Sequence, residues 1–98
     1  VVVVDNGMYG TIRMHQEREY PARVSGTRLQ NPDFAAYAVA FGGHGERVTR
    51  TEDFALAFER ALESGKPSIL HCFIDPDAIT PATTLGAIRE AALKRHTL

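Results

Sequence analysis

A chain of 98 residues, 44% apolar and 23% charged, has the size and make-up of one ordinary globular domain or part of one. A net charge of −1, with the basic residues scattered, gives no footprint for nucleic acid and none for a membrane surface. No apolar run is long enough to span a bilayer and no signal-peptide pattern is read; the single cysteine, Cys72, makes no internal disulfide framework and fits a reducing, cytoplasmic setting.

Val1 to Val4 are β-branched and predict a strand. The run is continuous rather than alternating, which predicts burial on both faces, as in a parallel sheet. Such a strand needs neighbours on both sides, so the chain reads as a fragment whose N-terminal half lies elsewhere. Asp5-Asn6-Gly7 ends the strand with turn formers. Residues 8–19 predict a helix with Ile12, His15, Gln16 and Glu19 at helical spacing, although its apolar face is thin. Residues 20–31, with Pro21, Ser25 and Gly26, read as a surface loop.

A clearer helix follows. Asn31 is placed to cap it, Pro32 suits its first position, and Asp33 suits the positive end of its dipole. Phe34, Tyr37, Ala38 and Phe41 share one face, and Gly42-Gly43 stops it. A short strand is expected over 46–49. Thr51 then caps a helix whose buried stripe is Phe54, Ala57, Phe58, Ala61 and Leu62, ended by Gly65. Residues 68–74 predict a second apolar strand, closed by Asp75-Pro76-Asp77. After a connector containing Pro81, Leu85, Ile88, Ala92 and Leu93 mark a last helix ending near Lys94-Arg95-His96. The order β-α-α-β-α-β-α predicts a partial three-layer α/β/α domain over 1–98 with a mostly parallel sheet and right-handed crossovers.

In open α/β sheets, ligands sit beyond the carboxyl ends of the strands. Asp5-Asn6-Gly7 occupies that place. Asn6 offers a neutral side-chain oxygen, Gly7 allows tight backbone geometry, and the next helix presents unpaired N–H groups that favour phosphate. Mg²⁺ commonly takes one or two protein oxygens together with substrate phosphates, so the arrangement suits a metal–phosphate pair. By itself, Asp-Asn-Gly reads first as a generic turn between a strand and a helix, since short motifs often match by chance.

The stretch Val-Val-Val-Val-Asp-Asn-Gly-Met-Tyr-Gly-Thr-Ile-Arg-Met-His-Gln-Glu resembles the end of the thiamine-diphosphate motif, in the acetolactate-synthase-like branch of that enzyme family. The resemblance continues through Asn31-Pro32-Asp33-Phe34-Ala35, Thr51-Glu52-Asp53-Phe54, Gly65-Lys66-Pro67 and Asp75-Pro76-Asp77-Ala78-Ile79-Thr80-Pro81. It implies the C-terminal part of a cofactor-binding domain. It also implies that Asn6 is a side-chain Mg²⁺ ligand, that Met8 supplies a backbone carbonyl, and that Gly7, Tyr9 and Gly10 shape the diphosphate loop. The cofactors implied are thiamine diphosphate and Mg²⁺. Thr11 and His15 fall at positions that border the family's substrate pocket. The parent enzyme implied is a lyase or transferase acting on 2-oxo acids or related carbon–carbon bonds, a homodimer or homotetramer with active sites between subunits. The family's usual Asn-Asn is Asp5-Asn6 here. Its opening Gly-Asp-Gly and its catalytic glutamate are not in this chain, so the isolated piece is expected to be inactive.

Taken alone, His15 also reads as a solvent-facing helix residue, as do Arg13 and Arg18. His71 reads as a packed, hydrogen-bonded core histidine and Cys72 as a small buried hydrophobe. Asp75 and Asp77 read as a turn rather than a catalytic carboxylate pair. The Phe34/Tyr37/Phe41 and Phe54/Phe58 stripes read as core. A reading from another class stays open: a non-enzymatic, flavodoxin-like α/β binding or interaction module, for which the first strand would be paired and covered within a monomer.

Overall fold

The computed structural model describes residues 1–96. Its elements follow the expected order: β1 (Val2–Asp5), α1 (Gly10–Glu19), α2 (Phe34–Ala40), β2 (His44–Val48), a 3₁₀ turn (Thr51–Asp53), α3 (Phe54–Ser64), β3 (Ser68–Phe73) and α4 (Leu85–His96). They form two compact units. One comprises Val1–Asp5 and Asn31–Ile74; the other comprises Asn6–Gln30 and the segment from Asp75 onward.

The first unit is built on a three-stranded sheet of order β1-β3-β2, parallel throughout. Val3 lies opposite His71, and Val48 opposite Cys72. Alternate residues of a strand face opposite sides, and β3 uses both. Leu70 points into an apolar cluster with Val48 of β2 and Ala57 of α3, joined by Phe54, Ala61 and Cys72. His71 points the other way, where its ring meets Phe34 at the start of α2 edge-on, at 5.0 Å between centroids. α2 and α3 therefore cover opposite faces, which gives the expected α/β/α layering.

Helix and strand ends explain themselves locally. The Asp33 carboxylate caps α2, accepting the Ala36 N–H at 3.1 Å. The cap is thus Asp33 rather than Asn31, whose amide bonds Asp5 instead. Gly65 ends α3 in the left-handed conformation, φ +63°. Thr51 makes no side-chain cap; it opens the 3₁₀ turn that leads into α3. The second strand begins two residues earlier than expected, at His44. It pairs with β3 from there, His44 opposite Ser68, and α2 lies almost on its backbone: a Cβ on Gly45 would stand 2.0 Å from the Ala35 carbonyl oxygen.

The burial expected of several apolar residues is corrected by the structure. Val1, Val2 and Val4 are exposed, since β1 pairs with β3 alone and the apolar cluster forms over β2 and β3. Tyr37 and Phe41 pack on each other but stay exposed, the latter 79% so. The small residues Ala35 and Ala38 are what α2 buries. On α3, Ala57 is buried while Phe58 and Leu62 are exposed. Close helix-on-sheet packing selects the short side chains and leaves the long ones at the margin.

In the second unit, α1 packs against α4. Here too the predicted face is wrong. Ile12, His15 and Glu19 are exposed, and the residue α1 buries completely is Glu17. α4 buries Leu85 and Ala92 as expected. Among the described residues, no helix is long and apolar enough to cross a membrane.

Candidate functional site

Residues 6–10 form a loop whose shape comes from short-range chemistry. The Asn6 Oδ1 accepts the Met8 N–H at 3.2 Å, closing a turn over Gly7. Gly7 sits at φ +73°, which a side chain would disfavour. The loop is then stapled to the segment after α1. The Leu29 N–H bonds the Gly7 carbonyl and the Tyr9 N–H bonds the Thr27 carbonyl, both at 2.8 Å, pairing Met8 with Arg28 as an antiparallel bridge. The Tyr9 carbonyl accepts the first helical bond of α1, from the Arg13 N–H at 2.9 Å.

These bonds leave the Met8 carbonyl open between two engaged ones. Gly7 and Tyr9 both have their carbonyls engaged, whereas among the described residues the Met8 carbonyl accepts no hydrogen bond. It lies on the same turn as the Asn6 oxygen. Gly10 completes the cradle: a Cβ there would stand 2.8 Å from the Asn6 Nδ2 and 3.2 Å from the Ile79 Cδ1. Only glycine lets the Asn6 amide lie where it does. α1 opens with no side-chain cap and no acidic residue in its first turn, so no side chain of its own competes for its N-terminal N–H groups.

The residues fit a hard cation accompanied by phosphate. Two neutral oxygens, from Asn6 and Met8, could join the coordination shell of Mg²⁺, which prefers oxygen and tolerates shared coordination with phosphates. Among the described residues, no group of three or more His, Cys, Asp or Glu side chains could hold a metal, so charge neutralisation would come from the ligand.

Asp5 is occupied within the first unit. Its carboxylate takes the His71 Nε2 at 2.7 Å and the Asn31 Nδ2 at 2.9 Å. The Phe34 N–H donates to the His71 Nδ1 at 3.2 Å, so the ring proton sits on Nε2 and points at Asp5. His71 is thus the hydrogen-bonded core histidine expected of it. Thr11 and His15 are exposed, and His15 pairs with Arg18 one turn on. Burial alone pushes the Cys72 thiol up, away from reactivity. The Asp75 carboxylate accepts the Asp77 N–H at 2.9 Å, and the Asp77 carboxylate accepts the Gly86 N–H of α4 at 2.8 Å. The pair is a turn and a cap.

Sequence reasoning missed the charged cluster behind the loop. Glu17 is fully buried, bonded by the Arg89 guanidinium of α4 and by the Ala22 N–H at 3.0 Å. Arg13 lies 3.8 Å from it and is only 20% exposed, so it does not face solvent as expected. The four-residue spacing of Arg13 and Glu17 was a readable signal; Arg89, 72 positions away, was not.

Residues 1–72 match the family model for the thiamine pyrophosphate enzyme, C-terminal TPP binding domain. The chain belongs to this family. It is 35% identical over 97 residues to the acetolactate synthase isozyme 2 large subunit of Escherichia coli strain K12, covering 97% of this chain and 18% of that protein. It is 36% identical over 72 residues to an acetolactate synthase large subunit of Parasynechococcus marenigrum (71% of this chain, 12% of that one). It is 29% identical over 94 residues to that of Corynebacterium glutamicum (89% and 15%). The chain therefore spans less than a fifth of the length of these relatives. The loop of residues 6–10 lies inside the family match.

Proposed function

We propose that this chain supplies two ligands, the Asn6 side-chain oxygen and the Met8 carbonyl, to a Mg²⁺ ion that holds the diphosphate of thiamine diphosphate. The protein would be an acetolactate-synthase-like lyase or transferase acting on 2-oxo acids. When bound, the cofactor supplies the electron sink for making or breaking a carbon–carbon bond beside a carbonyl. The chain's part is to bind and orient. Asn6 can accept the Met8 N–H through one lone pair and face a cation with the other. Gly7 and Gly10 keep the loop clear of side chains where a diphosphate would approach, and the start of α1 adds N–H donors. The observation that carries the reading is the open Met8 carbonyl between two engaged neighbours, on the same turn as the Asn6 oxygen. On the same reading the protein is cytoplasmic, and assembles as a homodimer or homotetramer.

Asn6→Ala in the whole protein that carries this chain tests the proposal. Its Mg²⁺ affinity at saturating thiamine diphosphate should fall by roughly 10–100-fold or more, the range seen when even outer partners of metal ligands are removed. An unchanged Mg²⁺ titration in the folded variant would overturn it.

A further inference from the structure

α1 follows the loop directly, yet it is not held by an apolar face. Its one fully buried side chain is a carboxylate, that of Glu17. A buried carboxylate persists only when paired, and Glu17 is paired on several sides: by Arg89 from α4, by the Ala22 N–H, and by Arg13 one turn earlier. Helical side chains lean toward the N-terminus, and Arg13 does so. Its Nη1 lies 4.0 Å from the Met8 Sδ, and its Nε is buried without a hydrogen-bond partner among the described residues. Met8 itself is 9% exposed. The side chains thus form a line within one unit: Met8, Arg13, Glu17, Arg89.

We propose that Glu17 and Arg13 are positioning residues for the metal loop. Glu17, fixed to α4 by Arg89, holds the Arg13 guanidinium against the Met8 side chain. Met8 then has its N–H tied to Asn6 and its side chain wedged by Arg13, which leaves its carbonyl a single direction to face. The inference rests on the Mg²⁺ reading of Asn6 and Met8. It adds that the ion network, not the loop alone, sets the affinity of that site.

The test uses the whole protein, with Mg²⁺ titrated calorimetrically at saturating thiamine diphosphate and thermal unfolding followed in parallel. Arg13→Met keeps the aliphatic contact with Met8 and removes the charge and the orphan Nε. It should raise the Mg²⁺ Kd about tenfold. Arg13→Lys, which keeps a charge for Glu17, should recover part of that loss. Glu17→Gln should match Arg13→Met or exceed it; if it does not fold, the Arg13 pair decides. Ala57→Gly, in the apolar cluster of the other unit, should lower the unfolding temperature and leave the Kd unchanged. A purely structural role would move Arg13→Met in unfolding temperature alone, and that result would overturn the inference. If Asn6→Ala also leaves Mg²⁺ binding intact, the underlying site reading fails with it; if Asn6→Ala abolishes binding while Arg13→Met does not alter it, only the positioning role fails.

Discussion

Asp5 is the residue whose identity the structure explains best. Two donors converge on it, the His71 Nε2–H and the Asn31 amide, and the Phe34 N–H bond to Nδ1 fixes which histidine nitrogen carries the proton. An asparagine could accept from one of these donors but would set its own NH₂ against the other. Asp5→Ala leaves the buried His71 donor without its acceptor, and the exposed Asn31 amide without one too, and should cost about 2 kcal/mol in urea unfolding. Asp5→Asn should cost about 1 kcal/mol. Equal stability of Asp5→Ala and the parent would show that the network is not formed. Gly10 is the second such residue. Gly10→Ala drives a Cβ into the Asn6 amide, so it should weaken Mg²⁺ binding in the whole protein by about tenfold, the effect of displacing a ligand's immediate support. A Mg²⁺ titration of the folded variant checks it.

Among the elements, β2 is set by contact rather than propensity. Gly45 lies so close to the Ala35 carbonyl that Gly45→Ala must push α2 off the strand. It should destabilise by about 3 kcal/mol, at the upper end of overpacking costs. β2 also carries Glu46, which joins strand to helix by accepting from Arg60 of α3 at 2.8 Å, with His44 on its other oxygen at 2.7 Å. The Arg60 hydrogen bond is the main cause that holds the Glu46 carboxyl below its ordinary value of 4.5, against an opposing push from burial. A lowered folded value means the pair stabilises the fold above pH 4.5, and the gain is lost as pH falls through the lowered value. In Arg60→Met the acid side of the stability profile, measured by urea midpoints between about pH 5 and about pH 3, should flatten relative to the parent. Identical profiles would remove the pair from the account. Element order was legible throughout because turn formers such as Asp5-Asn6-Gly7, Gly42-Gly43 and Gly65 act locally. Which side chains each helix buries was not. Periodicity ranks Tyr37 and Phe41 as core because they are apolar, but the short gap between α2 and the sheet admits only Ala35 and Ala38. It likewise cannot see that α1 buries a carboxylate, since the partner that makes this affordable lies on α4.

For the whole molecule, the sequence located the loop of residues 6–10 but gave no physical ground to choose between a bland turn and a metal site. What it could not show are pairings at a distance in the chain: Leu29 with Gly7, Thr27 with Tyr9, and the open Met8 carbonyl between them, on which the proposed metal reading rests. Those features also limit what the chain can do unaided. Mg²⁺ demands a near-octahedral set of oxygens, and on the proposed reading the loop would supply two. The diphosphate would bring more, yet among the described residues there is no group of three or more His, Cys, Asp or Glu side chains to complete the shell. We expect the isolated 98-residue chain to show no saturable heat when titrated with Mg²⁺ and thiamine diphosphate at millimolar concentration, and no turnover of a 2-oxo acid such as pyruvate. Saturable micromolar binding by the isolated chain would mean that it builds the remaining shell itself, and would move the site's missing ligands from elsewhere in the protein into these residues.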